Sequence, residues 1–191
     1  MHKFDPNNIA RLIRKERYDE IRPEEVLREA GLRAGDSFFD VGSGPGFFAI
    51  PGARVVGRKG KVYAVDTEEL MLSELQKRRP PKNVLLIKSG ENRIPAPAST
   101  ADFMLVAYVL HETADRKKFL REMRRVLKAG AKIFIIDWKI RKEEHGPPFE
   151  ERLTIKAVKG LLREAGFRSI KSSSLNVSHY AVTAVNNKRK F

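Results

Sequence analysis

The sequence predicts an α/β protein: a doubly wound, mostly parallel sheet whose last strand runs antiparallel. Three observations point there. From residue 36 onward short apolar runs alternate with amphipathic stretches, the pattern of βαβ units in a sheet covered on both faces. A glycine-rich turn, Asp40-Val41-Gly42-Ser43-Gly44-Pro45-Gly46, separates the first apolar run from the helix-like stretch after it. The chain ends in two strand-like runs, RSIKSSSL and HYAVTAV, joined by too few residues for a parallel crossover, so they are expected to form an antiparallel hairpin.

Residues 7–20 carry Ile9, Leu12, Ile13 and Tyr18 at helical spacing and read as a basic N-terminal helix. A second helix starts at Pro23, has Glu24 and Glu25 in its first turn and stops at Gly31, the expected order of helix punctuation. Strands are expected at 37–41, 61–65, 83–88, 102–107 and 132–137, with helices near 47–57, 67–79, 115–128 and 151–165. A length of 191 residues suits one sizeable core and is short for two. One domain is therefore expected, with residues 1–22 as a helical cap and 187–191 as a frayed tail.

Hydrophobic residues make up 41% of the chain and charged residues 32%, which describes a globular protein. The absence of cysteine excludes disulfides, thiolate metal sites and cysteine nucleophiles. The first twenty residues lack an apolar signal core, and no apolar run approaches a membrane span; a cytoplasmic location is expected. A single glutamine, no cysteine and abundant Lys, Arg and Glu suit a thermophilic protein. The net charge of +14 admits an anionic partner, nucleic acid included. Its basic residues are spread over several stretches, however, and the tight run Lys188-Arg189-Lys190 has no aromatic-basic RNA-binding signature beside it.

The glycine turn narrows the chemistry. Glycines between a strand and a helix allow positive φ and let a ligand approach the bare backbone, with the helix N-terminus facing it. A dinucleotide fingerprint needs glycine at 42, 44 and 47, but position 47 is Phe. Glycine recurs instead at 42, 44 and 46, with Asp40 ahead of it. Asp66 ends the second strand, where a carboxylate can accept both ribose hydroxyls of either kind of nucleotide cofactor. This Asp-x-Gly-x-Gly-x-Gly arrangement speaks against NAD.

With VYAVDTEELML (62–72), KSGENRIP (88–95), DFMLVAYVLHE (102–112) and FLREMRRVLKAGAKIFIID (119–137), the turn belongs to an ordered set. In these motifs the chain resembles a class I S-adenosylmethionine-dependent methyltransferase, in particular the branch of the ubiquinone/menaquinone-biosynthesis C-methyltransferases, from about residue 24 to 186. The resemblance implies a Rossmann-like seven-stranded sheet with an antiparallel last strand, and S-adenosylmethionine as the methyl donor. It implies that Gly42, Gly44, Gly46 and the neighbouring backbone line the methionine part of the donor, with Asp40 near its ammonium group. Asp66 would hold the ribose hydroxyls, Thr67 and Met71 would flank the adenine, and Ala107 and Tyr108 would lie beside the methionine portion. Many family members carry an acid where Ser89 stands, so Ser89, Gly90 and Glu91 share the adenine edge as candidates.

Methyl transfer from a sulfonium is an in-line displacement in which alignment of the reactants supplies much of the acceleration. Tyr108, Phe47 and Phe48 are aromatic faces available near a sulfonium. His111 follows the fourth strand on the edge where open sheets bind ligands. It is the candidate general base, against the plainer reading of a helix cap; Glu112 is available to orient it. Asp137-Trp138-Lys139 ends the fifth strand on the same edge, with Trp138 as a wall of the acceptor pocket or a cover for the sheet. The loop His145-Gly146-Pro147-Pro148 is placed to cover the acceptor, His2 and His179 have no partner pattern, and no metal site is expected. The acceptor is expected to be a small molecule. The alternatives are an RNA or protein methyltransferase using the basic surface, and a catalytically silent cofactor-binding protein.

Overall fold

The computed structural model describes residues 9–144 and 146–188. Strand β1 (Ser37–Val41) sets up the layers: Phe38 and Phe39 enter two different buried clusters, because successive side chains leave opposite faces of a strand. The cluster around Phe38 is closed by helices α3 (Pro23–Ala30) and α4 (Ala49–Val56) through Val26, Leu27, Ala53 and Val55. The cluster around Phe39 is closed by α6 (Arg116–Val126) and α7 (Ile155–Glu164) through Phe119, Leu120, Met123, Val158 and Leu162. Helix α5 (Glu69–Lys77) adds Leu75 to the first cluster.

The other strands are β2 (Lys61–Asp66), β3 (Val84–Lys88), β4 (Ala101–Ala107), β5 (Leu127–Trp138), β6 (Phe167–Ser174) and β7 (His179–Asn186), in the order β3-β2-β1-β4-β5-β7-β6. Strands β1 to β5 pair in parallel, and β7 runs antiparallel to both β5 and β6. This is the seven-stranded, mostly parallel sheet expected, with the terminal hairpin supplying the reversed strand. From β1 the chain winds outward to β2 and β3, then returns to place β4 on the other side of β1. A crevice therefore opens beyond the carboxyl ends of β1 and β4, where ligands of such sheets bind.

Local chemistry places the boundaries. Helix α3 has Pro23 in its first turn and Gly31 at its end with φ +106°, as expected. The Asp115 side chain caps α6 by accepting from the Lys118 amide, and Thr154 caps α7 by accepting from that of Ala157. Helices α4, α5 and α7 begin two to four residues later than the sequence pattern suggested. The expected N-terminal helix is two pieces, α1 (Ile9–Leu12) and α2 (Lys15–Ile21). Arg14 between them is extended, and the Arg17 guanidinium donates to the Leu12 carbonyl at 2.6 Å, satisfying the group that continued helix would have used.

Strand β5 also departs from expectation: α6 ends at Val126 and the strand starts at once, at Leu127. Ala101 faces Leu127 while Phe103 faces Lys132, a bulge absorbed by Gly130 at φ +79°. The buried Asn186 side chain locks this junction by donating to the carbonyls of Arg124, Leu127 and Lys128 at 2.9–3.1 Å. Of the expected frayed tail, Lys188 bonds the Arg125 carbonyl at 3.0 Å, and residues 189–191 lie outside the described residues. Among the described residues no helix is long and apolar enough to cross a membrane.

Replacing Asn186 with Leu strands those buried carbonyls. Urea denaturation is expected to show a loss of about 1–3 kcal/mol at unchanged m-value; an unaltered midpoint contradicts this role for the side chain.

Candidate functional site

The glycine turn is held by the end of β2. The Val65 carbonyl accepts the amides of Gly42 at 2.8 Å and Ser43 at 3.0 Å, and the Asp66 Oδ2 accepts that of Gly44 at 2.8 Å. Gly42, Gly44 and Gly46 all have positive φ, +73°, +51° and +85°. Their other constraint differs. A Cβ at Gly42 would lie 2.1 Å from a Val109 methyl, and one at Gly46 would lie 2.3 Å from a Leu75 methyl. At Gly44 the nearest atom, on Leu12, is 3.9 Å away. At Gly42 and Gly46 the missing Cβ thus makes room for the protein's own side chains, while at Gly44 the space a Cβ would take is bordered by Leu12 of α1.

Two carboxylates lie under this turn. Asp40 is 2% exposed and its Oδ2 has no hydrogen-bond partner among the described residues. Burial, reinforced by the neighbouring Asp66 and opposed by the Ala49 amide, pushes its pKa up to about 8. Burial also raises Asp66, against the amides of Glu68 and Gly44 that hydrogen-bond it. Each Asp66 oxygen accepts one amide, so further lone pairs remain for a ligand's hydroxyls.

The strand ends beside Asp66 gather the adenine-edge candidates. The Ser89 amide donates to the Asp66 carbonyl at 3.0 Å, and Gly90 pairs with Arg93 in a tight turn. Lys88 Nζ donates to the Thr67 carbonyl. Met71 is buried on α5. Glu91 is drawn across the edge, its Oε1 accepting the Ala114 amide at 3.1 Å.

At the end of β4, Ala107 is buried and Tyr108 adopts φ +61°, a left-handed conformation that costs an aromatic residue on the order of 1 kcal/mol. The turn aims its ring at Trp138, 5.8 Å between centroids, and at His179, 5.1 Å; those two rings are themselves 4.4 Å apart. Burial pushes the Tyr108 phenol far up. Phe47 and Phe48 pack edge to face within the core, and Phe47 meets Tyr18 and the Arg17 guanidinium.

His111 lies in a 3-10 turn (Leu110–Glu112), 2% exposed, with Nδ1 2.7 Å from Asp137 Oδ1 and Nε2 3.7 Å from Glu112 Oε1. Burial alone lowers an imidazole, but hydrogen bonds to Asp137 and Glu112 outweigh it and hold the ring up at about 9. The orienting carboxylate is thus Asp137 from the next strand, with Glu112 at the opposite nitrogen. The sequence reading had Asp137 on this edge without its partner; parallel pairing of β4 and β5 brings the two ends together.

His179, which the pattern left without a role, starts β7. The reversed direction of that strand sets it opposite Trp138 on the ligand edge. Both its ring nitrogens are buried without a hydrogen bond among the described residues, and burial, with Arg17 next in weight, pushes it down to about 4. Trp138 is flanked on another side by Gly146 and Arg152. His2 and His145 lie outside the described residues. Among the described residues no three His, Asp or Glu side chains gather as a metal-binding group.

Comparison with known proteins gives one consistent answer. The model of the ubiE/COQ5 methyltransferase family matches residues 7–151. The chain is 28% identical over 117 residues to the ubiquinone/menaquinone biosynthesis C-methyltransferase UbiE of Marinomonas sp. (strain MWYL1), and 32% over 115 residues to that of Chromobacterium violaceum. Each match covers 59% of this chain and 47% of the relative, so the chain spans about half the length of the curated relatives it matches. A SAM dependent methyltransferase from Aquifex aeolicus superposes with a TM-score of 0.90 at 39% identity, over 96% of this chain and 99% of that one. Haemonchus contortus phosphoethanolamine N-methyltransferase 2, solved with S-adenosyl-L-methionine, shares the fold at a TM-score of 0.75 and 14% identity, over 87% of this chain and 52% of that one.

The buried Asp40 makes the site pH-sensitive. A carboxyl whose folded-state pKa lies above its unfolded value resists ionisation in the fold. Its stability is therefore full below the ordinary 3.8 and is lost as pH rises toward 8. Replacing Asp40 with Asn removes that loss. Without ligand, the variant's melting temperature is expected to gain on the wild type between pH 5 and pH 8.5; a difference constant over that window contradicts the assignment.

Proposed function

As the chain belongs to the ubiE/COQ5 methyltransferase family, whose S-adenosylmethionine-dependent chemistry the full-length Aquifex aeolicus match shares, we propose that it is a cytoplasmic enzyme that methylates a small-molecule acceptor at the carboxyl ends of β1, β4 and β5. The observation that carries the reading is the buried, half-satisfied Asp40 carboxylate beneath a glycine turn that Asp66 holds open at Gly44. Such a seat fits a ligand with a cationic amino-acid end and a hydroxyl pair. When bound, S-adenosylmethionine supplies an electrophilic methyl group on a positively charged sulfur.

In this reading Asp40 meets the ammonium group, and the unoccupied lone pairs of Asp66 meet the ribose hydroxyls. Thr67, Met71, Ser89, Gly90 and Glu91 border the adenine. Gly42, Gly44, Gly46, Ala107 and Tyr108 line the methionine end. The acceptor sits on the far side of Tyr108, against Trp138 and His179, whose rings form a wall at van der Waals spacing. Three clustered rings suit the apolar face of a compact organic molecule.

His111 is the proton-handling group. Asp137 orients the ring through Nδ1, leaving Nε2 as the nitrogen that exchanges protons, with Glu112 beside it. Held up at about 9, His111 is protonated at neutral pH. As a base it acts in the deprotonated fraction, which grows as pH rises.

The reading is tested by incubating the enzyme with methyl-labelled S-adenosylmethionine and either a panel of small hydroxylated and carbon-acid acceptors or total RNA. Label is expected in a small molecule, at a rate that climbs with pH through about 9; it falls by roughly 100-fold or more in His111→Ala, the usual scale for losing a general base. Label entering RNA alone overturns the small-molecule assignment. Full activity in His111→Ala removes the base.

A further inference from the structure

The net charge of +14 is not shared evenly between the two faces of the sheet. Helices α6 and α7, which cover the Phe39 cluster, carry nine Lys and Arg against two acids. That is half of the chain's positive excess on two elements. Helices α3, α4 and α5 on the opposite face carry three Lys and Arg against five acids. The pairing differs in the same sense. On the α3–α5 face Arg54 meets Glu24 and Lys77 meets Glu74, whereas both acids of the α6–α7 face are consumed within it. Glu122 is buried against Arg125, and Glu164 joins the two helices by meeting Lys117 at 2.9 Å. Lys118, Arg121, Arg124, Lys156, Lys159 and Arg163 have no carboxylate partner among the described residues.

Placement makes this one surface. The two helices border an open groove lined by Lys117, Lys156, Ala157, Gly160, Leu161 and Glu164. Past the end of α7, Gly166 leaves room for the Arg124 guanidinium, whose Cζ lies 3.0 Å from where a Cβ would stand. The field of the cluster reaches Lys188, which burial pushes down and Arg124 and Arg125 push further. Like charges gathered in this way repel, and a partner that neutralises several of them at once relieves the repulsion. What the face lacks decides between anionic partners. Among the described residues the exposed large apolar side chains are Leu70, Leu85, Ile140, Phe149 and Val177, all outside α6 and α7. An anionic bilayer takes up apolar groups, and a protein interface has an apolar or aromatic core. The one aromatic side chain of the two helices, Phe119, is buried, so the bases of an unpaired strand have nothing to stack on. A double helix asks for none of these, since its phosphates alone supply binding.

We propose that the α6–α7 face binds a nucleic-acid double helix through its phosphate backbone, without reading sequence. Lys118, Arg121, Lys156 and Arg163, all exposed, are the cations that meet phosphates. The duplex is a docking partner and not the methyl acceptor. The proposal therefore goes beyond the methyl-transfer reading and stands independently of it.

The test is fluorescence anisotropy of a labelled, mixed-sequence DNA duplex of about 20 base pairs, titrated with the full chain between about 50 and 200 mM salt. Four phosphate contacts predict that log K falls with log salt at a slope of about −3.6, roughly a 100-fold loss over that range. Reversing all four cations (Lys118→Glu, Arg121→Glu, Lys156→Glu, Arg163→Glu) is expected to abolish binding. A second variant reverses four exposed cations in the loops before β1, β2 and β3 (Arg33→Glu, Arg58→Glu, Lys59→Glu, Lys82→Glu). With the same net charge, it is expected to bind within about threefold of the wild type, because charges beyond a Debye length are screened. Should circular dichroism show the first variant unfolded, Arg121→Gln and Lys156→Gln singly are each expected to lower the slope by about 1. No duplex binding by the wild type overturns the proposal. Equal weakening in the two fourfold variants also overturns it, because net charge alone then explains the binding. Tighter binding to phosphatidylglycerol vesicles, or to an unpaired strand of the same length, than to the duplex overturns it as well.

Discussion

Three consecutive amides, those of Gly42, Ser43 and Gly44, converge on one carbonyl and one carboxylate at the end of β2, and the whole ligand edge depends on that convergence. It stops β1 from continuing as strand and turns the backbone through positive φ. It also places α4 so that its start faces the crevice between β1 and β4. A side chain at Gly42 or Gly46 would displace Val109 or Leu75, coupling the turn to the segment after β4 on one side and to α5 on the other. The turn, the segment after β4 and α5 are thereby parts of one packing arrangement.

The electrostatics follow from the same arrangement. Parallel neighbours β1 and β2 bring Asp40 and Asp66 to adjacent strand ends, where burial makes both costly to ionise. A cationic ligand reverses that cost, since an opposite charge favours the ionised form. In the proposed reading, donor binding is therefore accompanied by loss of a proton from Asp40 near neutral pH. At the ends of β4, β5 and β7 the balance runs the other way: His111 is held up as a cation by Asp137 and Glu112, while burial and the nearby Arg17 keep His179 neutral. Two histidines on one edge thus differ in charge, set by their neighbours.

The sheet was legible because its strands are short apolar runs and its turns are punctuated by Gly, Pro and Asp; the reversed β7 followed from the short link before it. The place of Asp40, the glycines and Asp66 at adjacent strand ends was legible too, since they are contiguous with strands whose position the alternation already gives. What was not legible depends on contacts between distant segments. The His111–Asp137 pair joins residues 26 apart, and only the β4–β5 register brings them together. His179 reaches the edge because β7 is reversed, which places the start of that strand opposite the end of β5. The break between α1 and α2 and the place of Arg17 depend on a side chain folding back to cap a carbonyl, which no helical periodicity reveals. The early start of β5 depends on a bulge at Gly130, where an isolated glycine in the pattern reads equally as a turn.

The central claim is that this turn seats S-adenosylmethionine and not a dinucleotide. Titration calorimetry of the ligand-free chain with S-adenosylmethionine and with NAD, run near pH 7 in buffers of different ionisation enthalpy, tests it most directly. The account predicts saturable binding of S-adenosylmethionine accompanied by release of a proton, with the release absent in Asp40→Asn, and no binding of NAD. Tight NAD binding with no response to S-adenosylmethionine would contradict it.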